Sequence, residues 1–295
     1  MDAPMDGAAQ VRCVADVGAV LGEGPVWVAR DESLYWVDIK GFKIFRLDPG
    51  GGIRQWDTPF RIASLVPRNK GGFVAGTDRG FADVDLEALR FEPFVQPEAD
   101  RSDNRFNDGK LDREGRFWAG TMDDTEQAAS GALYRLDPDR SWHRADDDYR
   151  VTNGPAFSRS GRLMYHNDSA RQVTYVFDLD GAGTPSSRRV FARYGEGDGY
   201  PDGMTVDAED NLWIAFWDGW CVRRFSPAGE CLGKYELPVQ KPTSCAFGGP
   251  SLDQLYVTSA SIGLNESERA RQPCAGGLFM LDTGATGIAD VPFDG

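Results

Sequence analysis

Four oxygen-bearing side chains of this chain are each set among glycine or proline: Gly22-Glu23-Gly24-Pro25, Asn107-Asp108-Gly109, Asn153-Gly154-Pro155 and Pro201-Asp202-Gly203. Singly, each is most simply a turn residue holding its own loop. Together they offer another chemistry. Two acids facing one another repel and raise each other's pKa unless a cation lies between them. Glu23 and Asp202 with the neutral amide of Asn153 make an all-oxygen set whose charge matches one hard divalent ion, with water or substrate completing its shell. Arg105 and Asn107 are two residues apart and share one face of a regular strand. There Arg105 could bind an oxygen-rich ligand, or simply neutralise Asp103 or Asp108.

Residues so far apart in the chain meet only if the chain keeps returning to one axis. The stretch Tyr200–Trp217 shows the unit: an acid opening a short alternating run, a polar turn at Asp207–Asn211, then the aromatic strand Asn211–Phe216. Similar aromatic strands centre on positions 36, 74, 118, 165, 213 and 256, at intervals of 38 to 48 residues. That is the repeat length of four-stranded propeller blades. Third strands follow, among them Ile44–Asp48, Leu133–Asp137, Tyr175–Asp178, Val222–Ser226 and Leu278–Asp282. The spacing predicts an all-β, six-bladed β-propeller with four antiparallel strands per blade. Val11–Val17 closes it as the outer strand beside Leu278–Asp282, residues 1–10 form a flexible tail, and 11–295 form a single domain. Stacked sandwiches have no reason to show this period. A WD40 pattern fails because Trp56-Asp57 and Trp217-Asp218 fall at different phases of the repeat.

The innermost strand of a blade lines the central channel. Counting back from each aromatic strand places Glu23, Ser64, Asn107, Asn153, Asp202 and Cys245 on it. The neighbours of Cys245 suggest packing rather than ligation. Of the two histidines, His143 falls in a polar outer strand. His166, beside Asn167-Asp168-Ser169, could approach the channel and accept a proton. Trp217 and Trp220 could flank a sugar-like ligand or wedge adjacent blades. Nucleophile-elbow, P-loop and zincin signatures are absent.

Composition narrows the class further. With 17 Phe, 9 Tyr, 8 Trp and 35 Gly among 295 residues, the chain has strand and turn formers in plenty. A net charge of -14 disfavours nucleic acid and anionic membranes as partners. Five cysteines without a C-x-x-C spacing predict reduced thiols. With neither a signal-peptide pattern nor an apolar run of membrane-spanning length, the expected setting is cytoplasmic.

These motifs, with Leu34–Ile39, Asn104–Lys110, Trp118–Met122, Gly131–Tyr134, Pro201–Met204 and Arg271–Pro273, resemble the gluconolactonase/regucalcin (senescence-marker-protein) family of sugar lactonases in order from Leu21 almost to the end. The resemblance implies a six-bladed propeller holding one divalent ion, whether Ca, Zn, Mg, Mn or Fe, on the positions of Glu23, Asn153 and Asp202. It implies substrate contacts at Arg105 and Asn107, and Asp202 as the general base. Animal members carry a substrate-contacting Glu just after Gly-Thr-Met, where this chain has Asp123-Asp124-Thr125, so Asp124 is the matching candidate. The expected activity is metal-dependent hydrolysis of a sugar (aldono) lactone to the free aldonic acid, by a monomer or weak homo-oligomer. The alternatives are a non-catalytic calcium-binding or interaction propeller, and an esterase or organophosphate hydrolase using the same metal.

Overall fold

In the computed structural model, which describes residues 10–295, aromatic strands and polar turns alternate as the sequence pattern requires. In two blades the turn is held by a carboxylate of its own. In blade five, Asp207 accepts from the Asn211 backbone N–H at 2.8 Å and from Trp213 Nε1 at 2.9 Å. Blade three repeats the device with Asp112, the Arg116 N–H at 3.0 Å and Trp118 Nε1 at 2.8 Å. One carboxylate thus closes the turn and anchors the indole that follows, which places the aromatic strand against its partner.

The described residues form six four-stranded antiparallel sheets. Their inner strands are Gly22–Val28, Ile62–Pro67, Asn104–Leu111, Thr152–Phe157, Tyr200–Val206 and Pro242–Gly248. The molecule is therefore a six-bladed β-propeller. Five blades are continuous in sequence. The sixth is completed by Gln10–Ala15, which pairs with Leu278–Asp282, Val11 opposite Leu281 and Cys13 opposite Phe279. The closing strand lies where expected, but it starts at Gln10, which the sequence pattern left in the tail. Residues 1–9 of that tail lie outside the described residues.

The core is divided among the blade interfaces. Six apolar clusters each join two neighbouring blades. The one between blades five and six takes Trp213, Phe247 and Phe279, and the one joining blade six to blade one takes Trp36, Tyr256 and Leu278. Alternation along a strand feeds both interfaces: Tyr35 packs toward blade two and Trp36 toward blade six. Burying large aromatic surfaces between sheets fixes the blades around the axis. At the far ends of the inner strands, Gly287 bridges Asp207 and the fully buried Phe293 bridges Arg68. Among the described residues no helix is long and apolar enough to cross a membrane, and all five cysteines are free.

Candidate active site

All six inner strands break register near the axis, between Glu23 and Val26, Ile62 and Ser64, Phe106 and Gly109, Asn153 and Ala156, Pro201 and Met204, and Pro242 and Cys245. A bulge re-aims a side chain that a regular strand would turn into the next blade. Small residues make room for it. A Cβ on Gly203 would lie 2.1 Å from Ser244 Oγ and 2.8 Å from its Cα, and Gly154 has φ +84. The glycines seen in the motifs therefore serve close backbone approach around the channel.

These bulges bring Glu23, Arg105, Asn107, Asn153 and Asp202 together in one pocket of about 540 Å³, which Asp124 also lines. The amides form a chain with fixed direction. Asn107 Nδ2 donates to Asn153 Oδ1 at 3.0 Å, and Asn153 Nδ2 donates to Ser169 Oγ at 2.8 Å. Ser169 Oγ donates to the Pro201 carbonyl at 2.5 Å and Asn167 Nδ2 to that of Asp202 at 2.6 Å. Blade four thus holds the backbone of Asp202 from behind, and Asn153 Oδ1 faces the amide of Asn107.

The acids are enclosed. Glu23 and Asp202 are each 5% exposed, and Asp202 Oδ1 has no hydrogen-bond partner. Burial first, and the Asp108 charge next, push the Glu23 carboxyl well above its usual range. Burial, then Glu23, then Asp108 do the same to Asp202. Such an arrangement strongly favours a positive charge between the two carboxylates. Among the described residues no group of three His, Cys, Asp or Glu could hold a metal. The candidate set instead consists of two carboxylates and the Asn153 amide, an oxygen-only combination suited to a hard cation.

On the other wall Arg105 is 6% exposed. Its Nε donates to Asp124 Oδ1 at 2.6 Å and its Nη1 to Asn107 Oδ1 at 2.7 Å. Asp124 also accepts from Lys40 Nζ at 3.0 Å and Arg61 Nη1 at 2.7 Å. Against the upward push of burial, bonds from Arg61, Arg105 and Lys40 hold its carboxyl well below the usual range. Trp217 lines the same pocket, with Lys241 Nζ 4.3 Å from its ring centre, whereas Trp220 is 41% exposed and lies outside it.

Three residues read as approaching the channel do not line the pocket. His166 is fully buried, its ring 4.8 Å from that of Tyr149 and both nitrogens without partners. Burial, helped by the Arg188 charge, lowers its pKa to about 3. Strand alternation decides this: the usable side chains of that segment are its neighbours Asn167 and Ser169. Cys245 sits beyond the bulge, pairs with Val257 and packs in the apolar cluster between blades five and six. Thr243 and Ser244 occupy the bulge of blade six instead. Ser64 is likewise buried away from the pocket.

Sequence reasoning also missed Asp108. It is 3% exposed and accepts from the Gly154 N–H at 3.0 Å, beside Asn153. Its position next to Asn107 in Asn107-Asp108-Gly109 was the available signal. Lys40 and Arg61 carried none, because their contacts to Asp124 span 84 and 63 residues of chain.

Residues 21–261 match the family model described as SMP-30/Gluconolactonase/LRE-like region. The chain is 36% identical to a regucalcin of Xenopus laevis over 97% of its length and 99% of that protein's. It is 35% identical, with the same coverage, to a 6-deoxy-6-sulfogluconolactonase of Pseudomonas putida. A solved structure of a calcium-binding protein, regucalcin, from Agrobacterium tumefaciens superposes with a TM-score of 0.93 at 26% identity, covering 97% of each chain.

Proposed function

This chain belongs to the SMP-30/gluconolactonase/LRE-like family and is a lactone hydrolase; on that premise we propose that it opens a sugar aldonolactone to the free aldonic acid with the help of one divalent cation. The observation that carries this reading is the unpartnered, buried Asp202 Oδ1 beside a second enclosed acid, Glu23, in the pocket that also holds Arg105 and Asn107.

Glu23, Asn153 and Asp202 would hold the ion. When bound, a divalent cation supplies Lewis acidity, polarising the lactone carbonyl and stabilising charge that develops on its oxygen. The chain's own groups do the rest. Arg105 and Asn107, fixed to one another and to Asp124, orient the ring hydroxyls so that the carbonyl faces the acids, a positioning effect of large catalytic value. Asp202 accepts the proton of the attacking water and returns it to the ring oxygen as the acyl C–O bond breaks, so that the open-chain hydroxy acid forms without a covalent enzyme intermediate.

A second reading, in which calcium binding rather than turnover is the pocket's main task, draws support from the likeness to the Agrobacterium tumefaciens regucalcin, a calcium-binding protein. The test is proton release in weak buffer from five- and six-membered aldonolactones, using chelator-treated protein to which single metals are returned. Turnover restored by metal supports the hydrolase. Tight metal binding without turnover favours the second reading, and turnover indifferent to chelation overturns the metal's part.

A further inference from the structure

The inference rests on the lactone-pocket reading and extends it to the substrate's far end. Four cationic side chains line the pocket: Lys40, Arg105, Arg150 and Lys241. Lys40 and Arg105 converge on Asp124 at 3.0 and 2.6 Å, and Lys241 lies 3.2 Å from Asp218. Arg150 differs. Among the described residues no carboxylate is in ion-pair range of its guanidinium. Its Nη2 donates to the Glu126 carbonyl at 3.1 Å, and its Nε is buried without an acceptor. A guanidinium carries five donors in a planar fork and stays charged at any working pH, so its charge remains available to a ligand.

The backbone of Arg150 is also held in place. Its N–H donates to Asp168 Oδ2 at 3.1 Å, and the next residue, Val151, accepts from the N–H of Ser169 at 2.9 Å, the residue whose hydroxyl receives Asn153. The cation is therefore built onto the blade-four rim while the acids Glu23 and Asp202 form the ion-binding side. With an ion neutralising those acids, the guanidinium of Arg150, free of a carboxylate partner, is what draws a negative group of a ligand to the rim. The exposed carboxylate of Glu126, also on the pocket's edge, is the opposing charge there.

We propose that Arg150 recognises an anionic substituent, so that the preferred substrate is a sugar lactone bearing a phosphate, sulfonate or carboxylate at the end remote from its carbonyl. Arg suits this role because planar, bidentate pairing with oxyanions is stronger and more directional than a lysine contact.

The test compares glucono-1,5-lactone with its 6-phosphate in the wild type, Arg150→Ala and Arg150→Lys. The wild type should prefer the phosphorylated lactone in kcat/KM. Arg150→Ala should lower that preference roughly 10- to 100-fold, mainly through KM of the phosphorylated substrate, with Arg150→Lys intermediate. Glu126→Gln should raise the preference. Calorimetry of 6-phosphogluconate and gluconate on the same proteins reads the subsite without turnover. Failure to hydrolyse either lactone would count against the proposed function, whereas Arg150-dependent selection of 6-phosphogluconate would still support the subsite. Absence of a preference in the wild type, or equal losses on both ligands in Arg150→Ala, overturns the proposal.

Discussion

Arg105 Nε lies 2.6 Å from Asp124 Oδ1, and this one carboxylate also binds Lys40 and Arg61. Asp124 lines the pocket, yet its oxygens are turned to three cations. On the proposed reading Asp124 would act on substrate through Arg105, which it holds beside Asn107.

Asp124→Asn should raise KM for a lactone and lower stability by about 1–3 kcal/mol, less than for a fully enclosed pair because the Asp124 side chain keeps 29% exposure. The pH dependence has a defined sign. The folded carboxyl titrates below its unfolded value, so its stabilisation is complete above the unfolded pKa of about 4 and is lost as pH falls below that. Thermal melts across this acid range should be flatter for Asp124→Asn than for the wild type; parallel curves would contradict the assignment.

Asp202→Asn keeps an oxygen donor for an ion but removes the proton acceptor. Hydrolysis should fall roughly 10²- to 10⁴-fold while metal stoichiometry falls far less. Metal analysis and rate measurement on one preparation decide between ligand and base. A near wild-type rate in a metal-loaded variant would remove Asp202 from the base role.

Arg105→Ala leaves Glu23, Asn153 and Asp202 untouched. Metal content should hold at the wild-type level while both KM and kcat worsen, the pattern of lost orientation rather than lost acid-base chemistry. A variant that loses its metal in parallel with activity would tie Arg105 to the ion instead.

His166→Phe should retain lactonase activity, since the ring lies outside the pocket, against Tyr149. It should also change acid stability. The folded His166 pKa is depressed to about 3 from 6.5, so the unfolded chain binds a proton there that the folded chain does not. Stability tied to this residue is present above about pH 6.5 and is lost as pH falls, at up to about 1.4 kcal/mol per pH unit. Chemical denaturation between these limits should show a shallower slope in the variant. Unchanged slopes would mean that the imidazole is solvated.

The architecture is legible in the chain alone, because the information that specifies it is local and repeated. Each of six units carries an alternating strand, a polar turn and an aromatic strand, and the interval of the aromatic positions leaves a closed ring of six blades. The closing pair of Gln10–Ala15 with Leu278–Asp282 follows from the need to complete the last sheet. Glycine and proline beside Glu23, Asn107, Asn153 and Asp202 marked the residues that approach the axis, since such neighbours permit the bulges that turn them inward. Direction and company, by contrast, depend on how the strands bulge and the sheets pack. Counting along a strand cannot say where a bulge adds a residue, so Cys245 was set at a phase that belongs nearer Thr243 and Ser244. Alternation puts adjacent side chains on opposite faces, so His166 is entombed while Asn167 and Ser169 brace Asp202. The convergence of Lys40, Arg61 and Arg105 on Asp124 joins three blades across the mouth. Contacts between blades depend on how the sheets pack around the axis, and no local pattern in the chain encodes them.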